Sequence, residues 1–468
     1  MEDMGVRQTP HKHKLFYCLL FIFFALCFAR YAMQIGFPRV ILLALIVMMA
    51  CLGNDQEIIA ICICCIPLNT TFHFFYGLLV CMIVFVVKYH SLIYINWGVI
   101  PFFLMITWEL LHCFTLDFSI ISFGSDFLPF LLLMLIMCIR KKDIDYCFIT
   151  RALAICIAFM CILLVGRVLY ASGFNLTTAM TGLRRLGMDT EEAQTMLTVE
   201  GGQQNPNSLG IMCVLGVTGL MQLLTTGRGK QQDLFLILLL IFLGALTSSR
   251  TYLFCLLIMG ILLYFSQEGS LWRKFKYFLL GCVTVVAVIT LLYLILPELL
   301  ESYIQRFLVA DITSSRSLLL RLYHELITSD MRILLWGIGR HNYSYLLKEQ
   351  YRIAENVPHN AIQEIIIAWG LPGIAMFVLL GIAMIQRSKR SCKKQRLLNY
   401  IPIIIILAKS MVGQLLTSDY TILALSYAYL SMCEDLKLKE KSIHNTFILQ
   451  SPQTSVAYEA RDDVLNKK

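Results

Sequence analysis

Residues 144–170 read IDYCFITRALAICIAFMCILLVGRVLY. A helix that crosses a bilayer needs about 20 consecutive, mainly apolar residues, and this run exceeds that length. It belongs to a series. Apolar segments long enough to span, or nearly so, fall at 15–30, 38–52, 57–69, 71–88, 91–112, 124–140, 144–170, 206–225, 233–248, 251–265, 276–297, 360–386, 397–416 and 420–433. That predicts about fourteen crossings. The segment 57–69 is short for a full span and is a candidate re-entrant piece.

Composition gives the same class. Of 468 residues, 58% are hydrophobic and 15% charged, and mean hydropathy is +0.72. No soluble domain hides that much apolar surface, so the expected fold is an all-α, polytopic membrane domain over 1–435. The largest polar segments are 171–204 and 298–359, which leaves no room for a soluble catalytic domain. The apolar run Leu15–Ala29 follows a short basic stretch and leads directly to Arg30, with no small-residue cleavage site. It reads as an uncleaved first helix rather than a signal peptide. Residues 436–468 are polar without apolar periodicity, a tail expected to be disordered and cytoplasmic.

Charge sets the orientation. Arg140-Lys141-Lys142, Arg228 with Lys230, Arg273-Lys274 with Lys276, and Arg387 through Arg396 are dense basic clusters. Each belongs on the cytoplasmic side. Fourteen crossings put all four there, with both termini, and leave 113–123, 171–204, 298–359 and 417–419 outside. The net charge of +9 therefore reports cytoplasmic loops, not nucleic acid. Of 17 cysteines, none lies in 171–204 or 298–359, so disulfides do not build the external segments. Cys62, Cys64 and Cys65 have no His, Asp or Glu beside them within the span and read as small buried hydrophobes, not a metal site.

Against that orientation, 298–359 is an anomaly. It carries Arg306, Arg316, Arg321, Arg332, Arg340 and Arg352 but one lysine, Lys348. External arginines run against the positive-inside bias, and a planar, always-charged fork suits phosphate and diphosphate oxygens. Glu298, Glu301, Asp311, Glu325, Asp330, Glu349 and Glu355 balance these cations. The expectation is selected arginines aimed into a cavity, with the others paired. The stretch Ser317–Leu335 has apolar residues at helical spacing and predicts one or two amphipathic surface helices. Trp336-Gly337-Ile338-Gly339 then turns the chain.

Other candidates lie at external span ends. Arg250, in Thr247-Ser248-Ser249-Arg250-Thr251, is either a snorkelling arginine or an anion ligand with Ser and Thr donors beside it. Arg167 lies inside an apolar span near its external end, where a charge is a functional hypothesis by default and snorkelling the alternative. Asn205-Pro206-Asn207 is ordinary helix-start chemistry, or a set of free amides that help hold an anion. His359 and Asn360 open a further helix, with Glu364 on the same face as Asn360. A buried Glu364 needs a partner, and a loop arginine is the expected one. Gly370, Pro372 and Gly373 predict a kink or close packing. Asp143-Ile144-Asp145 fits a metal–nucleotide pattern but reads as a solvated turn. There is no Walker loop, no GxGxxG and no His-Glu-x-x-His, so ATP-driven and zinc chemistry have no support.

Pro358-His359-Asn360-Ala361-Ile362-Gln363-Glu364 running to Trp369-Gly370-Leu371-Pro372-Gly373, with Ser248-Ser249-Arg250-Thr251 and Asn205-Pro206-Asn207, resembles the O-antigen polymerase (Wzy) and O-antigen ligase (WaaL) family. The resemblance covers roughly Arg167 to Met384. It implies a metal-independent integral-membrane glycosyltransferase with no cofactor, acting at the outer face of the bacterial cytoplasmic membrane. The implied donor is an oligosaccharide on undecaprenyl diphosphate, and the implied partners are a flippase and a chain-length regulator. The resemblance gives His359, Arg250 and Arg316 catalytic roles. Arg167, Arg321, Arg340, Asn205, Asn207, Asn360 and Glu364 become substrate ligands. Polymerisation of repeat units is the leading expectation and ligation to another acceptor the nearest alternative. A lipid-linked oligosaccharide transporter is the alternative from another class, but its related halves and mid-membrane charges are not visible.

Overall fold

A computed structural model describes residues 10–72, 75–113, 120–140, 144–175, 179, 185–187, 204–266, 271–295, 301, 304, 316–340, 348–349, 358–388, 396–416 and 419–434. Most of 171–204, much of 298–359 with Arg306 and Arg352, the side chain of Arg316, and the tail 436–468 lie outside the described residues. Among the described residues the fold is all-helical.

The helices are α1 (Pro10–Cys27), α2 (Val40–Leu52), α3 (Asp55–Phe72), α4 (Phe75–Tyr89), α5 (Ile100–Cys113), α6 (Ile120–Cys138), α7 (Tyr146–Ala171), α8 (Pro206–Thr225), α9 (Gln231–Ala245), α10 (Arg250–Ser266), α11 (Leu271–Ile295), α12 (Arg316–Ser329), α13 (Met331–Leu335), α14 (Ala361–Ser388), α15 (Arg396–Met411) and α16 (Asp419–Cys433). Among the described residues five are long and apolar enough to cross a membrane: Lys14–Ala32, Phe75–Leu92, Tyr146–Ala171, Pro206–Thr225 and Ala361–Arg387. Shorter apolar helices accompany them, α2, α9 and α10 included. The segment 57–69 is not a separate piece but part of the single helix α3, which runs through Pro67.

The outward faces are apolar. Phe21, Val87, Phe235 and Leu257 are all well exposed. An aqueous surface does not carry such residues in bulk, and the fold fits a helical membrane protein.

Helix starts follow local chemistry. The Asp145 carboxylate accepts from Phe148 N at 3.2 Å and caps α7, so this half of Asp143-Ile144-Asp145 is a helix cap. Asn205 caps α8 with Pro206 in the first turn, and Asp330 caps α13.

The centre of the bundle is α8, buried on nearly every side from Pro206 to Leu223, as a helix apolar all round must be. Around it pack α7, α9, α10 and α15. Gly219 leaves the space that the Tyr427 ring and Thr150 fill. At the lower end, Tyr146 Oη donates to Gln222 Oε1 at 2.6 Å. The Gln222 amide donates to Leu398 O at 2.6 Å and Ser431 Oγ at 2.9 Å. This joins the start of α7 to the end of α8, the start of α15 and the end of α16, so neighbouring helices alternate in direction. Arg151 pairs with Asp233 at 3.0 Å and Arg228 with Glu434 at the same end.

At the opposite, upper end, α14 is not continuous. Gly370 has φ 65° and ψ −159°, a conformation open essentially only to glycine. The expected kink is therefore a break in the helix, and it shapes the candidate site.

Candidate functional site

The amphipathic helices expected after residue 316 are α12 and α13. Tyr323, Leu326, Ile327 and Ile333 form a small core with Ile367 of α14. Arg321 lies on the open side, 78% exposed, in an i,i+4 pair with Glu325 at 2.8 Å. The neighbouring carboxylate raises its pKa, but a solvated pair of this kind contributes little to stability. Arg332 is likewise exposed and turned to Asp330. Arg316 opens α12.

Beyond α13 the chain turns at Gly337 (φ 81°) and Gly339 (φ 84°) and enters the bundle. Ile338 N donates to Ile367 O and Gly339 N to Ala368 O, both at 2.8 Å. Those carbonyls lie just before the break at Gly370. Arg340 follows and is 5% exposed. Its backbone N–H donates to Glu109 Oε2 at 2.8 Å, its Nε donates to Leu416 O at 2.9 Å, and its guanidinium faces the Phe130 ring at 6.0 Å.

Glu364 is fully buried. Its Oε2 accepts from Leu415 N at 2.5 Å and Leu416 N at 3.0 Å. Arg340 and Glu364 thus meet at one residue, Leu416, the first on its carbonyl and the second on its amide. Both side chains thereby hold the 412–416 stretch after α15. Asn360 caps α14, its Oδ1 accepting from Ile362 N at 2.9 Å and Gln363 N at 3.2 Å. Its amide donates to Met411 O at 3.2 Å. His359 stands half-buried one residue before, at the mouth of this arrangement.

The same connection reaches Lys409, 6% exposed. Its Nζ donates to Gln414 O at 2.6 Å and Thr421 Oγ1 at 2.8 Å and lies 4.6 Å from the centre of the Tyr420 ring. The Tyr420 hydroxyl faces Ser208 of α8. There the second group of expected residues begins. Asn205 Oδ1 accepts from Asn207 N at 2.9 Å. Asn207 Oδ1 accepts from Ser249 Oγ at 2.7 Å and from Arg185 at 3.4 Å. Thr247 Oγ1 donates to Gly244 O. The hydroxyl protons of Thr247 and Ser249 are therefore spent inside the protein, fixing the turn that aims Arg250. Ser248 takes φ 48° in that turn. Arg250 is the first residue of α10 and half-buried. Arg167 is buried near the upper end of α7.

Arg340, Asn360 and Glu364 thus come together around Met411, Leu415 and Leu416. Asn205, Asn207 and Arg250 come together at the start of α8 and α10. Ser208, Tyr420 and Lys409 join the two groups. Arg321 stands apart on α12. Glu109, Lys409, Tyr420 and Arg185 were not among the expected residues. The intramembrane-charge rule that singles out Arg167 covers Glu109 and Lys409 too, since each is a lone charge inside an apolar segment.

No family model matches this sequence, and no curated protein matches it. The chemistry must be argued from the site. Arg185, Arg250, Arg340 and Lys409 gather at this end of the bundle with the carboxylates of Glu109 and Glu364, in apolar surroundings where charges act strongly.

Proposed function

We propose that this chain is an integral-membrane glycosyltransferase that polymerises oligosaccharide repeat units carried on undecaprenyl diphosphate. The carrying observation is the buried polar layer at one end of an apolar bundle, joining Arg340, Glu364, Lys409, Asn207 and the turn before Arg250. In this reading the upper end faces outward from the bacterial cytoplasmic membrane. All fourteen apolar segments cross it, which is supported by a helix covering each. Both termini are cytoplasmic.

A glycan on a lipid diphosphate carries its own activation and needs no nucleotide or metal. A hydroxyl of the acceptor sugar attacks the anomeric carbon of the donor. The bond from that carbon to the diphosphate oxygen breaks, and the lipid diphosphate leaves with the electron pair. Arg250, Arg340 and Arg316 stabilise the charge that develops on it, the largest catalytic term in reactions of this type. His359 at the mouth takes the hydroxyl proton. Asn205, Asn207, Asn360 and Glu364 hold the helix ends that frame the site, and Arg167 and Arg321 extend the binding surface. The amphipathic helices α12 and α13 lie along the bilayer surface. The lipid bilayer, a flippase and a chain-length regulator complete the setting.

The test is direct. Purified protein in detergent is given lipid-diphosphate-linked repeat units without ATP or metal. The expected product is a ladder of longer chains on the same lipid carrier. Elongation absent with the carrier lipid alone, but transfer to an outer-core lipid acceptor present, would replace the polymerase by the ligase. Translocation with no covalent change would replace both by a transporter.

A further inference from the structure

We propose that Glu109 is a positioning residue, which seats the returning loop in the break of α14 and so fixes Arg340 in the site. The catalytic part of this proposal rests on the function given above; the seating of the loop does not.

Glu109 lies on α5, is 1% exposed, and sits far in sequence from both elements it holds. One oxygen, Oε2, accepts from Arg340 N at 2.8 Å and from Trp369 Nε1 at 2.6 Å. Trp369 is fully buried and immediately precedes Gly370. A single carboxylate therefore bridges the residue where the loop enters the bundle and the residue where α14 breaks. Neighbours on α5 extend the contact. Trp108 Nε1 donates to Trp336 O at 3.3 Å, with the two rings 4.3 Å apart. His112 packs so closely on Gly339 that an added Cβ would lie 2.9 Å from the His112 Cβ.

A carboxylate buried in an apolar bundle is costly unless ionised oxygens find donors. Here the donors come from two other elements, so the three are held together at one carboxylate oxygen. The bond to Glu109 is through the Arg340 backbone, while the Arg340 side chain reaches Leu416 O through Nε. That geometry makes Glu109 a determinant of where Arg340 points, without contact to substrate.

Two measurements test this. The first reads loop seating without activity. In detergent-solubilised wild type, trypsin is expected to cut after exposed Arg332 and to spare buried Arg340. Glu109→Ala is expected to yield a cut after Arg340, while Glu109→Gln, which keeps an acceptor oxygen, stays protected. Glu109→Asp keeps the charge on an arm one methylene shorter; it serves if the alanine variant does not fold, and it too is expected to open Arg340. Folded alanine or aspartate variants with Arg340 fully protected would overturn the seating role.

The second reads coupling in chain elongation. Loss of one charge-stabilising donor lowers kcat by about 100-fold or more, so Arg340→Ala and Glu109→Ala are each expected near that level with KM within about twofold. The double variant is expected to be no slower than Arg340→Ala. Losses that multiply would mean that Glu109 acts independently of Arg340, and the proposal fails. Full activity in Arg340→Ala would instead refute Arg340 as a site residue, leaving the trypsin result to stand alone.

Discussion

Gly370→Ala is the sharpest probe of the upper end. The backbone there has φ 65° and ψ −159°, a region essentially closed to residues with a Cβ, where occupancy costs of order 1–3 kcal/mol. A Cβ would also lie 2.7 Å from Leu335 C and Trp336 N and 2.8 Å from Trp336 C. All three are backbone atoms, so relief requires moving the end of α13. Overpacking of this kind costs about 1–3 kcal/mol. The two effects together give a destabilisation of about 4 kcal/mol. With an unfolding entropy near 2 cal/mol/K per residue, that is a fall of at least about 4 °C in Tm for a chain of 468 residues. Helices that persist in detergent lower the unfolding entropy and enlarge the shift.

Gly381→Ala is the matched control. It lies in the same helix, has open space at the Cβ position and no unusual φ. Removing a helical glycine there is worth roughly 0.5–1 kcal/mol in the stabilising direction. Both variants are melted in one detergent, with monodisperse protein after heating measured by size-exclusion chromatography. Opposite signs are expected. A Gly370→Ala protein that melts with wild type would refute the left-handed break, and with it the docking of the loop into α14.

Glu364→Ala strips the acceptor from two buried amides, those of Leu415 and Leu416; at about 1–3 kcal/mol per orphaned group, the same melt should fall further than for Glu364→Gln, and equal midpoints would contradict the bonding described. Arg340→Ala should lower chain elongation by about 100-fold or more while Arg321→Ala, exposed and paired locally, should leave it within a few-fold; the reverse order would remove Arg340 from the site. Asp233→Ala at the lower end breaks its pair with Arg151 and should cost about 3 kcal/mol while turnover per folded molecule is unchanged. A specific loss of turnover in that variant would mean that the chemistry is not confined to the upper end.

Most helix positions were open to sequence because they are apolar runs, and the glycine-rich turns were open because Gly337, Gly339 and Gly370 stand where the chain turns. The amphipathic pattern of 317–335 likewise predicts α12, since Tyr323, Leu326 and Ile327 fall on one face. What sequence does not carry is which loop arginine enters the bundle. Arg321, Arg332 and Arg340 are alike as residues; they differ because Arg340 follows two glycines in left-handed conformations that turn the backbone inward. Nor does it carry long-range partners. Glu109 and Arg340 are far apart in the chain, and the bond between them runs through a backbone N–H that every residue but proline possesses. Asn207 was legible as a helix-start residue, yet its two acceptor contacts with Ser249 and Arg185 depend on how α8 and α10 pack.

The break in α14 and the docked loop explain one another. Interrupting a helix inside an apolar phase frees backbone groups that neither lipid nor the helix can satisfy, and each unpaired group costs several kcal/mol. Here the carbonyls of Ile367 and Ala368 accept from the N–H groups of Ile338 and Gly339. The break is tolerable because the loop is docked, and the loop is docked because the break offers it acceptors. A substitution that loosens either partner therefore leaves polar backbone exposed in both. Arg340 is the next residue after this pairing. Its placement is thus tied to the strongest requirement the membrane imposes on a chain, rather than to side-chain contacts alone. Stability of the upper end and competence of the site should accordingly rise and fall together across variants at Gly337, Gly339 and Gly370, whereas variants at the Arg151–Asp233 pair should change stability only.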